Sequence, residues 1–223
     1  MLAAEYNVAV PVPFSWVVLL TLVAVFAASL ATFLALIARW TDSRPRHAAL
    51  EWAKQYGFRP GTLGGGGEWP VLPPGAVVAE PQRHEQFHKP ARHTTILRLR
   101  PDDAPAAPWH LLVRRIEAPW PTTGVRPVAL PAGRLLLDRY GLPAFPVYTG
   151  GERFVAHGTE SASAKALAES PVVALCPPDV ALLLVGSHLV VDFSARPFDA
   201  IEFNRMIALT EQIVAHLPPA RRT

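Results

Sequence analysis

The longest apolar run is FSWVVLLTLVAVFAASLATFLALIA, from Phe14 to Ala38, 25 residues without a charge. At about 1.5 Å rise per residue it makes a helix of roughly 37 Å, enough for a hydrocarbon core of about 30 Å. The pattern therefore predicts a transmembrane helix over residues 14–40, preceded by a short extracytoplasmic N-terminus, residues 1–13. Trp16 and Trp40 bracket the run as interfacial aromatics, and Arg39, Arg44 and Arg46 follow it. By the positive-inside rule, that flank places the N-terminus outside and the remainder in the cytoplasm, a single-pass arrangement in an inner membrane. The first 13 residues hold Glu5 and neither Lys nor Arg, so a retained anchor is expected rather than a cleaved signal peptide. The polar residues within the run are Ser15, Thr21, Ser29 and Thr32, none suited to ligating a pigment or relaying a proton. Ala24, Ala28 and Thr32 recur every four positions, a small-residue face on which another helix could pack.

Beyond the run the pattern changes period. Residues 43–57 predict a juxtamembrane helix, with Ser43 as its cap, Pro45 in its first turn and Gly57 just past its end. Residues 58–75, with four consecutive glycines between prolines, read as a flexible connection. Residues 76–218 then form the cytoplasmic domain. GAVVAE, TTILRLR, HLLVRRIE and RFVAHG have strand character, and TTILRLR and HLLVRRIE are expected to pair antiparallel across the PDDAPAAP loop. SASAKALAES predicts a short helix, and VALLLVGSHLVVDF predicts two strands joined by a turn at Gly186-Ser187. In RPFDAIEFNRMIALTEQIVAHLP, Phe203, Met206, Thr210, Ile213 and Leu217 follow helical spacing, widened by Ile207 and Val214. Residues 219–223 are a basic tail. The expected fold class is α+β: one N-terminal transmembrane helix, then a loop-rich cytoplasmic domain of short antiparallel strands with a C-terminal amphipathic helix.

Composition narrows the function more than the fold. A formal charge of +3, with no basic run interleaved with aromatics, gives no support for a nucleic-acid partner. The single cysteine, Cys176, excludes an internal disulfide and any cysteine-based zinc ribbon, and in VVALC it reads as a small buried residue. The glycine run lacks the Lys-Ser/Thr of a phosphate-binding loop. No G-x-S-x-G elbow occurs, and Ser187-His188 and Asp192 lack a catalytic context.

One stretch matches a catalytic pattern. HEQFH, residues 84–88, fits H-E-x-x-H, in which two histidines one helical turn apart hold zinc and the intervening glutamate deprotonates the metal-bound water. In that reading His84 and His88 are ligands and Glu85 is the general base; a site using His84, His88 and His93 is a second possibility. Pro81 and Pro90 leave room for little more than two helical turns, and the polar neighbours EPQR and KPARH suggest a solvent-facing loop. The primary expectation is accordingly no catalytic residue and no cofactor, with a zinc metallopeptidase as the alternative.

The chain resembles uncharacterised bacterial single-span membrane-anchored proteins. The likeness lies in one N-terminal span, the YGF-type element in ALEWAKQYGF, and an ending with RFVAHGTESASAKAL and LLLVGSHLVVDF. It implies an anchored α+β domain and no activity. An architectural analogy to the H subunit of photosynthetic reaction centres rests on the same layout. The expected function is a non-catalytic accessory or scaffolding subunit of a larger inner-membrane complex. Its expected partners are other integral membrane subunits and the lipid bilayer, with Trp52, Trp109 and Trp120 as candidate contact residues.

Overall fold

The computed structural model of the protein describes residues 14–61, 71–73, 85–99, 107–149 and 153–218. In chain order these form α1 (Phe14–Gln55), β1 (Arg59–Gly61), β2 (Glu85–Lys89), β3 (Thr94–Leu99), β4 (Trp109–Pro127), β5 (Ala144–Thr149) and β6 (Phe154–Gly158). There follow α2 (Ser161–Ala168), α3 (Pro171–Leu175), β7 (Ala181–Asp192) and α4 (Ala200–His216). The chain divides into two compact units, Met1–Arg46 and His47–Thr223.

In the second unit seven strands make one antiparallel sheet, ordered β1-β2-β3-β4-β6-β5, with β7 also paired to β4. Leu111 of β4 faces Leu97 of β3 on one edge and Asp192 of β7 on the other, so β4 is the central strand. Successive residues enter different cores, as a period of two requires. Ile96, Leu112, Leu182 and Val191 face a core with Trp52, Phe58, Phe203, Met206 and Ile213. Their neighbours Leu97, Leu111, Leu183 and Val190 face a second core with Val71, Leu136 and Leu137. Burial on both faces explains why LLL and LVV replace the simple alternation of a half-exposed sheet.

The end of α1 is fastened locally. Gly57 takes φ 73, and Phe58 donates its N–H to the Ala53 carbonyl at 2.7 Å, the left-handed stop that glycine permits. Asp199 caps α4 by accepting from the N–H groups of Ile201 and Glu202.

Several expectations are corrected. Among the described residues no helix is long and apolar enough to cross a membrane. That overturns the transmembrane helix over 14–40, and with it the single-pass, bitopic placement in an inner membrane with a cytoplasmic C-terminal domain. Residues 43–55, expected as a separate helix, are part of α1. VALLLVGSHLVVDF is no hairpin: β7 runs unbroken through Gly186, whose φ of 53 serves a bulge against β4. The strands are not all short, since β4 has 19 residues and runs through the Pro-rich EAPWPTTGVRP. The N-terminus 1–13, most of the 58–75 connection and the tail 219–223 lie outside the described residues.

Candidate functional site

HEQFH is a strand. Residues 85–89 are β2, paired to β3, with Phe87 buried in the first core and Gln86 and His88 half-buried on either side. The H-E-x-x-H pattern needs a helix to bring its histidines one turn apart, and Glu85–His88 are extended instead. His88 is engaged elsewhere: its Nδ1 lies 2.8 Å from the hydroxyl of its cross-strand partner Thr95. His84 and the side chain of Glu85 lie outside the described residues. His93 ends the 3-10 turn Pro90–Arg92 in the left-handed region, φ 45 and ψ 44, and donates its N–H to the Pro90 carbonyl. Among the described residues no three potential ligands converge on a metal position. The strand signal was present in the sequence: the alternation Gln86, Phe87, His88 runs through a turn into TTILRL.

The candidate contact tryptophans are core residues. Trp52 packs against Phe58 and Phe203, and its indole N–H donates to Asn204 Oδ1 at 2.9 Å. Trp109 and Trp120 are 2% and 6% exposed, so none of the three offers a surface to a partner. The N-terminal half of α1 does offer one. Every side chain from Val18 to Leu34 is exposed, Phe26 by 70% and Leu20 by 66%. Ala24, Ala28 and Thr32 share this stretch, and Thr32 donates its hydroxyl to the Ala28 carbonyl at 2.8 Å. Trp16 is exposed within α1, while the side chains of Arg39, Trp40, Arg44 and Arg46 lie outside the described residues.

Two buried polar groups escaped the sequence reading. Asp192, at the end of β7, accepts from the Leu136 N–H (2.7 Å), the Ser194 N–H (3.0 Å) and the Ser194 hydroxyl (2.5 Å). Burial pushes its carboxyl up to about 6. His110 donates from Nδ1 to the Arg196 carbonyl at 2.8 Å, and its Nε2 has no hydrogen-bond partner among the described residues. Burial, reinforced by Arg98 and Arg134, pushes the imidazole down to about 4. Although Ser194, His110 and Asp192 adjoin, Ser194 gives its proton to Asp192 and accepts from the backbone N–H of His110, not its ring. That arrangement braces the strand ends and cannot activate a nucleophile, which needs its base on the hydroxyl. Cys176 is likewise structural: its thiol donates to the Val172 carbonyl, and burial pushes it up to about 12.

Among the described residues, two hollows of the second unit can be traced. One, of about 260 Å³, lies between Tyr56, Phe58, Lys89 and Ile207. The other, of about 490 Å³, is lined by Ala91, His93, Arg114, Arg115, Ile116, Glu117 and Ser187. Arg114 borders both.

No protein-family model matches the chain, and no curated protein matches it. Among solved structures it is similar to the mycobacterial trehalose monomycolate transport factor A, TtfA. The likeness has 11% identity and a TM-score of 0.46, covering 77% of this chain and 95% of that one.

Proposed function

We propose that the chain is a non-catalytic accessory or scaffolding subunit of a larger protein assembly, held to its partner by helix packing along residues 18–34. What supports this reading is the exposure of every side chain in that stretch, among them Leu19, Leu20, Leu22, Val23, Phe26, Leu30 and Phe33. Apolar surface removed from water contributes about 25 cal/mol per Å², and monomeric proteins rarely leave a continuous patch of this kind uncovered. The partner surface is itself apolar, and a helix is the best fit. Ala24 and Ala28 let a second backbone approach closely, while the Thr32 hydroxyl is already satisfied within α1.

The test is photo-crosslinking in the source cells, with a crosslinking residue at Ala24 or Ala28 and another on the opposite side at Phe26. The expected result is one recurrent protein in stoichiometric yield, crosslinked more strongly from the alanine face. Crosslinks to lipid alone, or only to a second copy of this chain, would overturn the accessory-subunit reading.

A further inference from the structure

The smaller hollow, of about 260 Å³, forms where separate pieces of the second unit meet. Tyr56 and Phe58 flank Gly57, whose left-handed φ turns the chain out of α1. Lys89 is the last residue of β2. Asn204, Ile207 and Ala208, spaced three and four apart, come from one side of α4. Phe58, Ile207 and Ala208 give the hollow an apolar lining. Its volume lies below the roughly 300–1,000 Å³ of pockets for drug-sized ligands, so it suits a small molecule.

Three hydrogen-bond donors on this lining have no acceptor among the described residues. The Trp52 indole can only donate, and its N–H takes Asn204 Oδ1 at 2.9 Å. That bond fixes the Asn204 amide with its oxygen on Trp52, which leaves its NH2 group as a donor without an acceptor. Tyr56 stacks on the same indole, ring centroids 5.2 Å apart, yet remains 44% exposed, and its hydroxyl meets no partner among the described residues. Lys89 holds its ammonium 5.6 Å from the centre of the Phe58 ring, a cation–π contact, and no carboxylate among the described residues pairs with it. A half-buried cation beside an apolar surface complements a carboxylate carried on an apolar body. Arg114, whose guanidinium donates to the Thr94 hydroxyl at 3.0 Å, and Glu211 add one charge of each sign, so the lining carries a single net positive charge.

We propose that this hollow binds a small monocarboxylate with a compact apolar body, an aromatic or branched aliphatic acid. The carboxylate sits on the Lys89 ammonium, with the Tyr56 hydroxyl and the Asn204 amide as further donors, and the body lies against Phe58, Ile207 and Ala208. The single net charge of the lining, with Glu211 part of it, disfavours a dianion such as phosphate. This site lies in the second unit and is independent of the helix-packing reading above.

The experiment titrates the full chain with benzoate, with its neutral counterpart benzamide and with inorganic phosphate, at constant ionic strength set by chloride. Calorimetry reads binding, and thermal unfolding of the same samples reads the fold. Saturable binding and a raised unfolding temperature are expected with benzoate, and binding at least about tenfold weaker with the other two. Lys89→Met keeps an apolar stem over Phe58 and removes the charge. It is expected to weaken benzoate binding about tenfold, the loss typical of a charge-assisted hydrogen bond. Ala208→Phe, at an exposed position of α4, fills the hollow and is expected to abolish binding while leaving the unfolding temperature of the unliganded protein in place. Lys165→Ala, on α2, is expected to bind as the parent does. Failure of benzoate to saturate, equal affinity for benzamide or phosphate, undiminished binding in the Lys89 or the Ala208 variant, or equal loss in the Lys165 variant would overturn the proposal.

Discussion

Asp192 and His110 are buried near the same end of the β4–β7 pair, and their protonation equilibria act on stability in opposite directions. His110 is held at about 4 against an ordinary value of 6.5, so folding favours the neutral ring. Its contribution is fully present above pH 6.5 and lost as pH falls towards 4, a swing of about 3 kcal/mol. Asp192 is held at about 6 against 3.8, so folding favours the protonated acid. Its contribution is present below pH 3.8 and lost as pH rises through 6, again about 3 kcal/mol. Between pH 4 and 6 the two nearly cancel. Asp192→Asn removes one side of the balance; its single amide oxygen accepts from the Ser194 N–H or the Leu136 N–H but not both, a loss that does not vary with pH. Urea denaturation at stepped pH is therefore expected to show the variant losing about 3 kcal/mol relative to the parent as pH falls from 6.5 to 4. A constant difference between the two proteins would mean that folding does not raise the Asp192 carboxyl above its ordinary value. The groups facing His110 are the Arg98 and Arg134 charges and the Arg196 carbonyl, and none of them favours a proton on Nε2 except through that carbonyl's bond to Nδ1.

At the scale of elements, the bulged β4–β7 pair separates two uses of glycine. A Cβ on Gly124 would lie 2.5 Å from the Leu182 carbonyl oxygen and collide with Leu137, so two packed layers would have to part. A Cβ on Gly186 would meet nothing within 4 Å, but φ of 53 there is left-handed. Gly186→Ala is expected to cost about 1 kcal/mol through the backbone alone, and Gly124→Ala about 3 kcal/mol through overpacking. Thermal unfolding of the two variants should rank them in that order; the reverse ranking would mean that the layers yield more easily than the backbone at the bulge. The same pair shows how far the sequence could be read. The antiparallel pairing of TTILRLR with HLLVRRIE, the α2 helix and the α4 stripe were legible because each has its own hydrophobic period. GSH in β7 was misread because Gly-Ser between apolar runs is the local signature of a hairpin. Only the partner strand, which must shed residues 116–119 opposite Ser187, makes it a bulge. HEQFH was a similar ambiguity, since helical spacing of its histidines and strand alternation around Phe87 coexist in five residues. Non-local pairing to β3 chose between them.

For the molecule as a whole, stability and association belong to different stretches of chain. Within the second unit Ala49, Trp52, Ala53 and Phe58 join the α4 side chains in one buried cluster, and the Phe58 N–H completes the local stop. The side chains of residues 18–34 are exposed throughout. A chain of residues 47–223 is therefore expected to unfold cooperatively within a few degrees of the full-length protein and to remain monomeric. Full-length protein separated from its partner is expected to self-associate, because its apolar helix surface finds no other cover. Light scattering after size-exclusion chromatography, with thermal unfolding of the same fractions, measures both properties. Replacing Leu20, Phe26 and Phe33 with Gln, three exposed positions, should disperse the full-length protein without lowering its unfolding temperature. If the shortened chain aggregated instead, the exposed helix would be covering part of the second unit, and association could not be assigned to residues 18–34. If the triple variant still self-associated, the sticky surface would lie outside these three side chains, and association could not be assigned to the apolar helix surface.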